Sequence, residues 1–272
     1  MIDIYGLDET ARTWRQKAAA LAADVVARHA TDVDTNARFP SESMAALAQG
    51  GFYGLCIDVS FGGQGQGPAT LAAVVEELAR HCGSTAMVYV MHMAAAKVIE
   101  ASTTLPTKAD VLRAIAEGKH LTTFALSERG SRSQFWAPVS QLVEQENGYR
   151  ADAFKSWVTA AHHADSYVAS AQRPGAQSPL DFTLYLLPRT RPGVQFPGTF
   201  NGLGLRGNDS APVQLDRVAV QQEDLLTEHG KGLECALQVG IPGFNVGTGR
   251  HGPWTLPGGC GRDSEPPAGD GL

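Results

Sequence analysis

The sequence has few cysteines, and they share no regular spacing. The four in 272 residues are Cys56, Cys82, Cys235 and Cys260, with no Cys-x-x-Cys pair and no cluster of cysteine with histidine. A disulfide framework or a zinc site needs such a pattern. The sequence therefore predicts neither a disulfide framework nor a metal site, and it favours a reducing compartment.

Runs of basic residues are also absent. Lys and Arg number 22 against 28 Asp and Glu, which gives a net charge of -6. Proteins that bind nucleic acid usually carry a clustered positive charge, so this class of partner is not expected. With 43% hydrophobic and 18% charged residues, the composition is that of a globular protein and not of an acidic disordered chain.

No segment resembles a membrane span or a secretion signal. The N-terminal residues lack a basic stretch followed by an apolar one, and the apolar run near Met87 is interrupted by His92 and Lys97. The sequence predicts a soluble cytoplasmic protein.

Residues 1–120 are predicted to form a helical domain. The first helix carries apolar residues at helical spacing, namely Trp14, Ala18, Leu21 and Val25. The segment MVYVMHMAAAKVI is apolar on nearly every side, which is typical of a helix buried in a bundle. Thr107 is predicted to cap the last helix of this domain, and Gly118 to end it.

Residues 121–229 are predicted to form a β domain. Short runs rich in β-branched and aromatic residues follow one another between turn residues, among them LTTFAL, SYVASA, FTLYLLP and VQLDRVAV. Asn147-Gly148 predicts a hairpin with a type I′ turn.

A third region begins but does not develop. GKGLECALQVG is helical in pattern, and residues 230–249 are predicted to start another helical domain. Residues 250–272 are rich in Gly and Pro without any period, and we expect them to be disordered. So abrupt a change favours a shifted reading frame or a truncated gene, and the alternative is a genuine short paralogue with its own tail.

Two stretches have the residue types of a ligand site. FALSERGSRSQ is a strand that enters a Ser/Gly-rich turn, whose N–H groups and hydroxyls suit an anion such as a pyrophosphate, although an ordinary polar turn has the same spacing. Trp157 and Thr159 stand two apart on a predicted strand, which puts an aromatic plane beside a hydroxyl on one face. A core Trp beside a Thr gives the same pattern.

Three further polar sites are weaker. His162 and His163 have no carboxylate at ligand spacing and are predicted to be a surface pair. His92 lies in the apolar helix and is predicted to be a hydrogen-bonded core residue. Arg206, in a Gly-rich loop, either grips a carboxylate or phosphate or is simply solvated.

The order of the motifs is more specific than any one of them. A helical domain is followed by ALSE-G-x-x-S, K-x-W-V-T, PGV, GLGLRG-x-x-S, V-x-V and LL-x-x-x-G-K-G. Over about residues 6 to 249 this order resembles the FAD-dependent acyl-CoA dehydrogenase family. The resemblance implies an α+β fold with an all-α bundle, a middle β-barrel or β-sandwich and a C-terminal helical bundle, assembled as a homotetramer or dimer.

The resemblance also implies that six residues of this sequence bind FAD. They match the family's flavin-contacting positions and are Phe124, Leu126, Ser127, Ser133, Trp157 and Thr159. Ser127 is then expected at the pyrimidine edge of the flavin and Thr159 near N5. Ser133 is expected at the pyrophosphate and near the bound thioester, so it is also a predicted substrate-binding residue.

The match is incomplete in and around the pyrophosphate turn. Arg129 stands where the family usually has Pro, Arg132 where it often has Gly, and Gln134 where it often has Asp. Ala153 replaces a common Gly before Lys155. These departures are predicted to alter the turn and to mark a subfamily with another substrate.

The activity implied is α,β-dehydrogenation of an acyl thioester such as an acyl-CoA, with an acceptor such as an electron-transfer flavoprotein. In the family the catalytic base is a glutamate of the C-terminal helical region, so the catalytic residue is not identified here. The resemblance therefore predicts a truncated dehydrogenase with impaired catalysis.

Two alternatives stay open at the level of sequence. One is a related flavin monooxygenase or oxidase on the same fold. The other is a non-catalytic α+β module that binds a ligand or a partner.

Overall fold

The computed structural model describes residues 6–132 and 134–245. The predicted tail, residues 250–272, and the predicted ligand residue Ser133 lie outside these ranges.

The first part of the chain is helical, as predicted. Six α-helices lie in the described part of this region, residues 6–120, and they are α1 Glu9–Leu21, α2 Ala27–Thr35, α3 Ser41–Gln49, α4 Pro68–Ala79, α5 Gly83–Ala101 and α6 Lys108–Ala116. Helix α5 is buried along most of its length, including its histidine. Thr107 stands at the N-cap of α6, but its side chain makes no capping hydrogen bond. Gly118, with a φ of 72°, follows the end of that helix.

The buried face of the first helix differs from the predicted one only at its end. A π-helical segment, Ala22–Val26, joins α1 to α2. Trp14 and Ala18 are buried and Leu21 packs against the core as predicted, but within the wider turn Val26 is buried where Val25 was expected.

The second part of the chain forms seven strands among the described residues 121–132 and 134–229. They are β1 Thr122–Ala125, β2 Val143–Gln145, β3 Gly148–Val158, β4 Ser166–Gln172, β5 Phe182–Pro188, β6 Val194–Gln195 and β7 Ala211–Val220. They build one sheet in the order β1-β4-β5 and another in the order β2-β3-β7-β6. A helical domain followed by a two-sheet β domain confirms the predicted α+β class, while the domain bounds themselves stay a prediction.

The predicted hairpin is present, but its turn type was wrong. Gln145 pairs with Gly148, so the two connecting residues are Glu146 and Asn147. A type I′ turn needs a positive φ at both, and neither has one. The positive φ, 108°, belongs to Gly148, which has no Cβ to hinder it.

Helix α5 joins the two domains. The Thr122 N–H of β1 donates to His92 Nδ1 at 3.1 Å, and the imidazole is fully buried. The Tyr53 ring lies 4.4 Å from the imidazole, centroid to centroid. The prediction of a hydrogen-bonded core histidine is confirmed.

The third region is helical where it is described. It consists of α7 Gly232–Cys235, a π-helical segment Ala236–Gly240, and α8 Ile241–Asn245. These short helices return to α5 and close one side of the site described next.

Candidate functional site

An apolar cavity of about 210 Å³ lies between α5, the end of β1 and the α7–α8 region. Phe124, Leu126 and Ser127 line it from β1 and the residues that follow. Met91 and Val98 of α5 form another wall. No carboxylate is among its lining residues in the described ranges, so the cavity suits an apolar or aromatic group.

The chain after β1 is held against β3 by backbone hydrogen bonds. Ser156 N–H donates to Ser127 O at 2.9 Å, and Arg129 N–H donates to Phe154 O at 3.0 Å. These bonds bring Ser127 beside Ser156 and Trp157, all three of which line the apolar cavity.

Trp157 is presented to solvent by an irregularity in β3. Trp157 is 66% exposed. Its φ of 61° is left-handed, a conformation that bulky residues rarely adopt. Lys155 pairs with Val213 but Val158 pairs with Ala211, so β3 contains one extra residue at this point. Such a bulge re-aims a side chain, and strained residues of this kind cluster at functional sites.

Thr159 does not share a face with Trp157, contrary to the prediction from their spacing. Strand β3 ends at Val158, and Thr159 lies in the following turn. Its residue is 4% exposed and its hydroxyl lies 3.1 Å from Ser210 Oγ. The bulge breaks the two-residue alternation on which the prediction depended.

A second cavity, of about 460 Å³, adjoins the first. Ser156 and Trp157 line both cavities. The second cavity is more polar, because Arg129 and Arg132 contribute to its wall.

A buried ion pair at the wall of the second cavity joins β3 to the chain after β1. Lys155 Nζ lies 2.5 Å from Glu128 Oε1, and the two side chains are 0% and 2% exposed. The Glu128 carboxylate also accepts from Val139 N–H at 2.8 Å, Ser140 N–H at 2.7 Å and Ser140 Oγ at 2.6 Å. Burial alone would raise the pKa of Glu128, but Lys155 and these donors lower it below its ordinary value.

Two family models match the chain in sequence order. The acyl-CoA dehydrogenase N-terminal domain matches residues 8–119, and the acyl-CoA dehydrogenase middle domain matches residues 123–218. Together they cover well over half of the chain.

The chain belongs to the acyl-CoA dehydrogenase family. A probable acyl-CoA dehydrogenase of Mycobacterium leprae, fadE25, is 25% identical over 87% of this chain. The chain spans 61% of the length of that relative.

Solved structures show the same fold. Butyryl-CoA dehydrogenase from Megasphaera elsdenii superposes with a TM-score of 0.82 at 21% identity, over 88% of this chain and 63% of the other. The structure described as the FAD complex of PigA gives a TM-score of 0.78 at 18% identity, over 89% of this chain and 66% of the other. The predicted cofactor, FAD, is therefore one that a protein of this fold binds.

This acyl-CoA dehydrogenase family member places four of the six predicted flavin residues around one cavity. They are Phe124, Leu126, Ser127 and Trp157. Thr159 lies just beyond them, and Ser133 is outside the described residues. Their roles toward a flavin stay predictions.

The sequence analysis did not predict the ion pair between Glu128 and Lys155. The two residues are part of the motifs L-S-E and K-x-W, but their contact depends on the pairing of two distant segments. Each of these strand-like motifs contains one charged residue. Because charged residues are seldom fully buried unless they are paired, this pattern could have indicated a buried ion pair.

Of the other polar candidates, His162 and His163 have local partners. His162 Nδ1 lies 2.8 Å from Asp209 Oδ1, and His163 stacks on Phe39 with ring centroids 3.9 Å apart. The Nε of Arg206 is buried and has no hydrogen-bond partner.

Within the described ranges, no cluster of His, Cys, Asp and Glu suits a metal ion. No described helix combines the length and the apolar character needed to traverse a bilayer.

Proposed function

We propose that this chain binds FAD with its isoalloxazine beside Trp157, at the apolar cavity. The observation that carries the proposal is the bulge in β3, which holds an exposed Trp in a left-handed conformation at the cavity wall. Phe124 and Leu126 offer apolar contacts, and the hydroxyls of Ser127 and Ser156 offer hydrogen bonds. Apolar walls with a few polar groups at one edge fit a flavin ring system.

We further propose that the site serves dehydrogenation of an acyl thioester, the activity implied by the family. When bound, FAD supplies the acceptor for the hydride. The residues of this chain orient the ring system and exclude water from one side of it through Met91, Val98 and Phe124. The electron acceptor is proposed to be an electron-transfer flavoprotein and the active assembly a homo-oligomer.

No described residue at the cavity is suited to remove the α-proton. That step needs a base within hydrogen-bond reach of the substrate carbon, and the lining residues include no Asp, Glu or His. We therefore propose that the described residues supply the cofactor side of the reaction, and impaired catalysis by this chain stays a prediction.

The purified chain mixed with excess FAD and freed of unbound ligand tests the first proposal. We expect a flavin absorption spectrum that stays with the protein. A colourless protein would contradict flavin binding and favour a non-catalytic binding module.

Adding an acyl-CoA to the flavin-loaded chain under anaerobic conditions tests the reaction. We expect the oxidised flavin band to persist, because none of the described residues that line the cavity can remove the α-proton. Bleaching of that band, coupled to reduction of an electron acceptor, would contradict the impairment. Oxygen consumption by the reduced protein would instead favour the oxidase or monooxygenase alternative.

A further inference from the structure

The bulge that presents Trp157 is closed on its far side by the last residue pair between β3 and β7. Val158 pairs there with Ala211, and the residue of β7 that stands opposite the bulge is Pro212. Proline has no N–H, so β7 has no backbone donor at this point to hold the bulged residues. The position of Trp157 therefore depends on how firmly the pair of Val158 and Ala211 is kept.

Backbone hydrogen bonds beyond this pair fasten the following turn, residues 159–163, to the residues that precede β7. Ala160 N–H donates to Asn208 O at 2.9 Å, and Ala161 N–H donates to Asp209 O at 3.1 Å. These bonds continue the contact between the two segments past the end of β3. They join the turn to Asp209 in particular, whose side chain contacts it as well.

The carboxylate of Asp209 uses both of its oxygens on one residue of the turn. Oδ2 accepts from His162 N–H at 2.8 Å, and Oδ1 lies 2.8 Å from His162 Nδ1. The Asp209 side chain is 14% exposed, so water has little access to compete for these contacts. Two contacts to one residue fix the direction of the turn as well as its distance.

Left-handed backbone conformations lie on both sides of this contact. Ala160 has a φ of 55° and Asp209 a φ of 52°, close to the 61° of Trp157. A short polar side chain makes this conformation tolerable for Asp209, whereas Ala160 and Trp157 have no such help. Residues of this kind keep their conformation only where the surrounding contacts determine it. The contacts of Asp209 are among those that do so here.

We propose that Asp209 is a positioning residue of the proposed flavin site. Its contacts with His162 hold the turn, the turn holds the pair that closes the bulge, and the bulge presents Trp157 at the cavity. Among the described residues, Asp209 lines neither cavity, so it acts through the turn and not by touching the ligand. The hydroxyl of Thr159, 3.1 Å from that of Ser210, is kept in place by the same turn. The assignment deepens the proposed function and rests on it.

Fluorine NMR of the full chain labelled with 5-fluorotryptophan reads the placement of Trp157 without any ligand. The sequence has four tryptophans, so four resonances are expected, and Trp157→Phe identifies the one of interest. Trp14, which is buried in the helical domain, is the internal reference. Calorimetric titration with FAD then measures binding by the same variants.

The variants separate the carboxylate from the backbone. Asp209→Gly removes both side-chain contacts and keeps the left-handed conformation without penalty, whereas Asp209→Asn keeps an oxygen that can accept from His162 N–H. Asp152→Gly is the matched control, because the Asp152 carboxylate also accepts from the backbone N–H of a left-handed residue, Arg217, at 2.8 Å. Asp152 lies in β3 too, but it is not among the described residues that line the cavities.

In Asp209→Gly we expect the Trp157 resonance to shift and broaden while that of Trp14 stays unchanged. FAD affinity should fall about tenfold, because a side chain that is no longer held must be ordered on binding. Asp209→Asn should restore most of both properties. The control loses comparable hydrogen bonds, so its thermal midpoint should fall too, but its Trp157 resonance and FAD affinity should match the wild type.

His162→Ala decides the matter if Asp209→Gly does not fold. It removes only the contact with the ring, so it should move the Trp157 resonance by a smaller amount.

An unchanged Trp157 resonance in the folded variants, an equal change in Asp152→Gly, or a changed resonance with unaltered FAD affinity would overturn the assignment. A wild type that binds no flavin contradicts the proposed function instead. In that case a Trp157 resonance that moves with Asp209 and not with Asp152 still supports the positioning role.

Discussion

At Trp157, the sequence motif predicted the role of the side chain but not the conformation of the backbone. The sequence motif predicts an aromatic residue next to a flavin, but not a left-handed conformation. That conformation follows from the bulge, which depends on how β3 pairs with β7 and is not encoded in the two-residue spacing. Trp157 lines the cavity and its role toward a flavin stays a prediction, while the face predicted to be shared by Trp157 and Thr159 was wrong.

Trp157→Gly should separate stability from binding. Glycine relieves the left-handed strain, which stabilises the fold, but it also gives the unfolded chain more freedom, which destabilises it, and the two effects roughly offset each other. Because little buried area is lost, the free energy of unfolding should change by less than about 1 kcal/mol. FAD affinity should fall about tenfold, through loss of an aromatic contact. Urea unfolding and flavin fluorescence titration measure the two quantities.

Trp136→Phe provides the control for that variant. Trp136 is partly exposed like Trp157, but it lines neither cavity. Equal FAD affinities for the two variants would show that Trp157 has no special part in binding.

The ion pair of Lys155 and Glu128 is expected to behave as a unit. Lys155→Met leaves a buried carboxylate without its cation and should lower the free energy of unfolding by about 3–5 kcal/mol. Adding Glu128→Gln should recover a large part of that loss, because no uncompensated charge then remains. Urea unfolding of the single and double variants checks this.

Lys119→Met is the control for the pair, since Lys119 and Glu117 form an ion pair in solvent. Its stability should stay close to that of the wild type. A loss in Lys155→Met no greater than in this control would contradict a structural role for the buried pair.

At the scale of elements, apolar periodicity predicted the helices and strands well where it was strong. The helix with the apolar segment from Met87 and the strands of the middle region are present as expected. The failures have physical causes that a local pattern does not contain. The π-helical segment buries Val26 where Val25 was expected, and Asn147 lacks the positive φ that a type I′ turn over Asn147-Gly148 requires.

The junction of α5 and β1 should make stability depend on pH through His92. Burial lowers the pKa of His92 from an unfolded value of 6.5 to about 3. The unfolded state therefore binds the proton more readily, so this contribution to stability is fully present above pH 6.5 and is lost as pH falls toward 3. Unfolding free energies measured at several pH values between 7 and 4 should show this decline.

His92→Asn should flatten that dependence, because an amide oxygen can accept from Thr122 N–H without titrating. His81→Asn serves as the comparison, since His81 is exposed and lies outside the junction of α5 and β1. If His92→Asn has the same pH dependence as the wild type, the junction does not carry the effect.

At the scale of the whole molecule, the order of the motifs predicted the family, and the matching family models confirm it. For the site, the sequence predicted which residues take part but not how they are arranged in space. That Phe124, Ser127 and Trp157 surround one cavity depends on the pairing of segments some thirty residues apart and on α5 packing against them. The two arginines were noted as departures from the family pattern, and only the fold shows that they share a cavity with Trp157.

Contacts between the domains fix the shape of this site. His92 of α5 accepts a hydrogen bond from the Thr122 N–H of β1. Ser84 Oγ, near the start of the same helix, accepts one from Gly207 N–H at 3.1 Å. Because α5 also supplies Met91 and Val98 to the apolar cavity, the helical domain is part of the proposed flavin site and not only a neighbour of it.

A crystal structure of the chain grown with FAD tests the central claim most directly. We predict electron density for the isoalloxazine against Trp157 and Ser127, with the adjoining 460 Å³ cavity open to the rest of the ligand. Density for the ring system at any other surface, or none beside Trp157 at saturating FAD, would contradict the account.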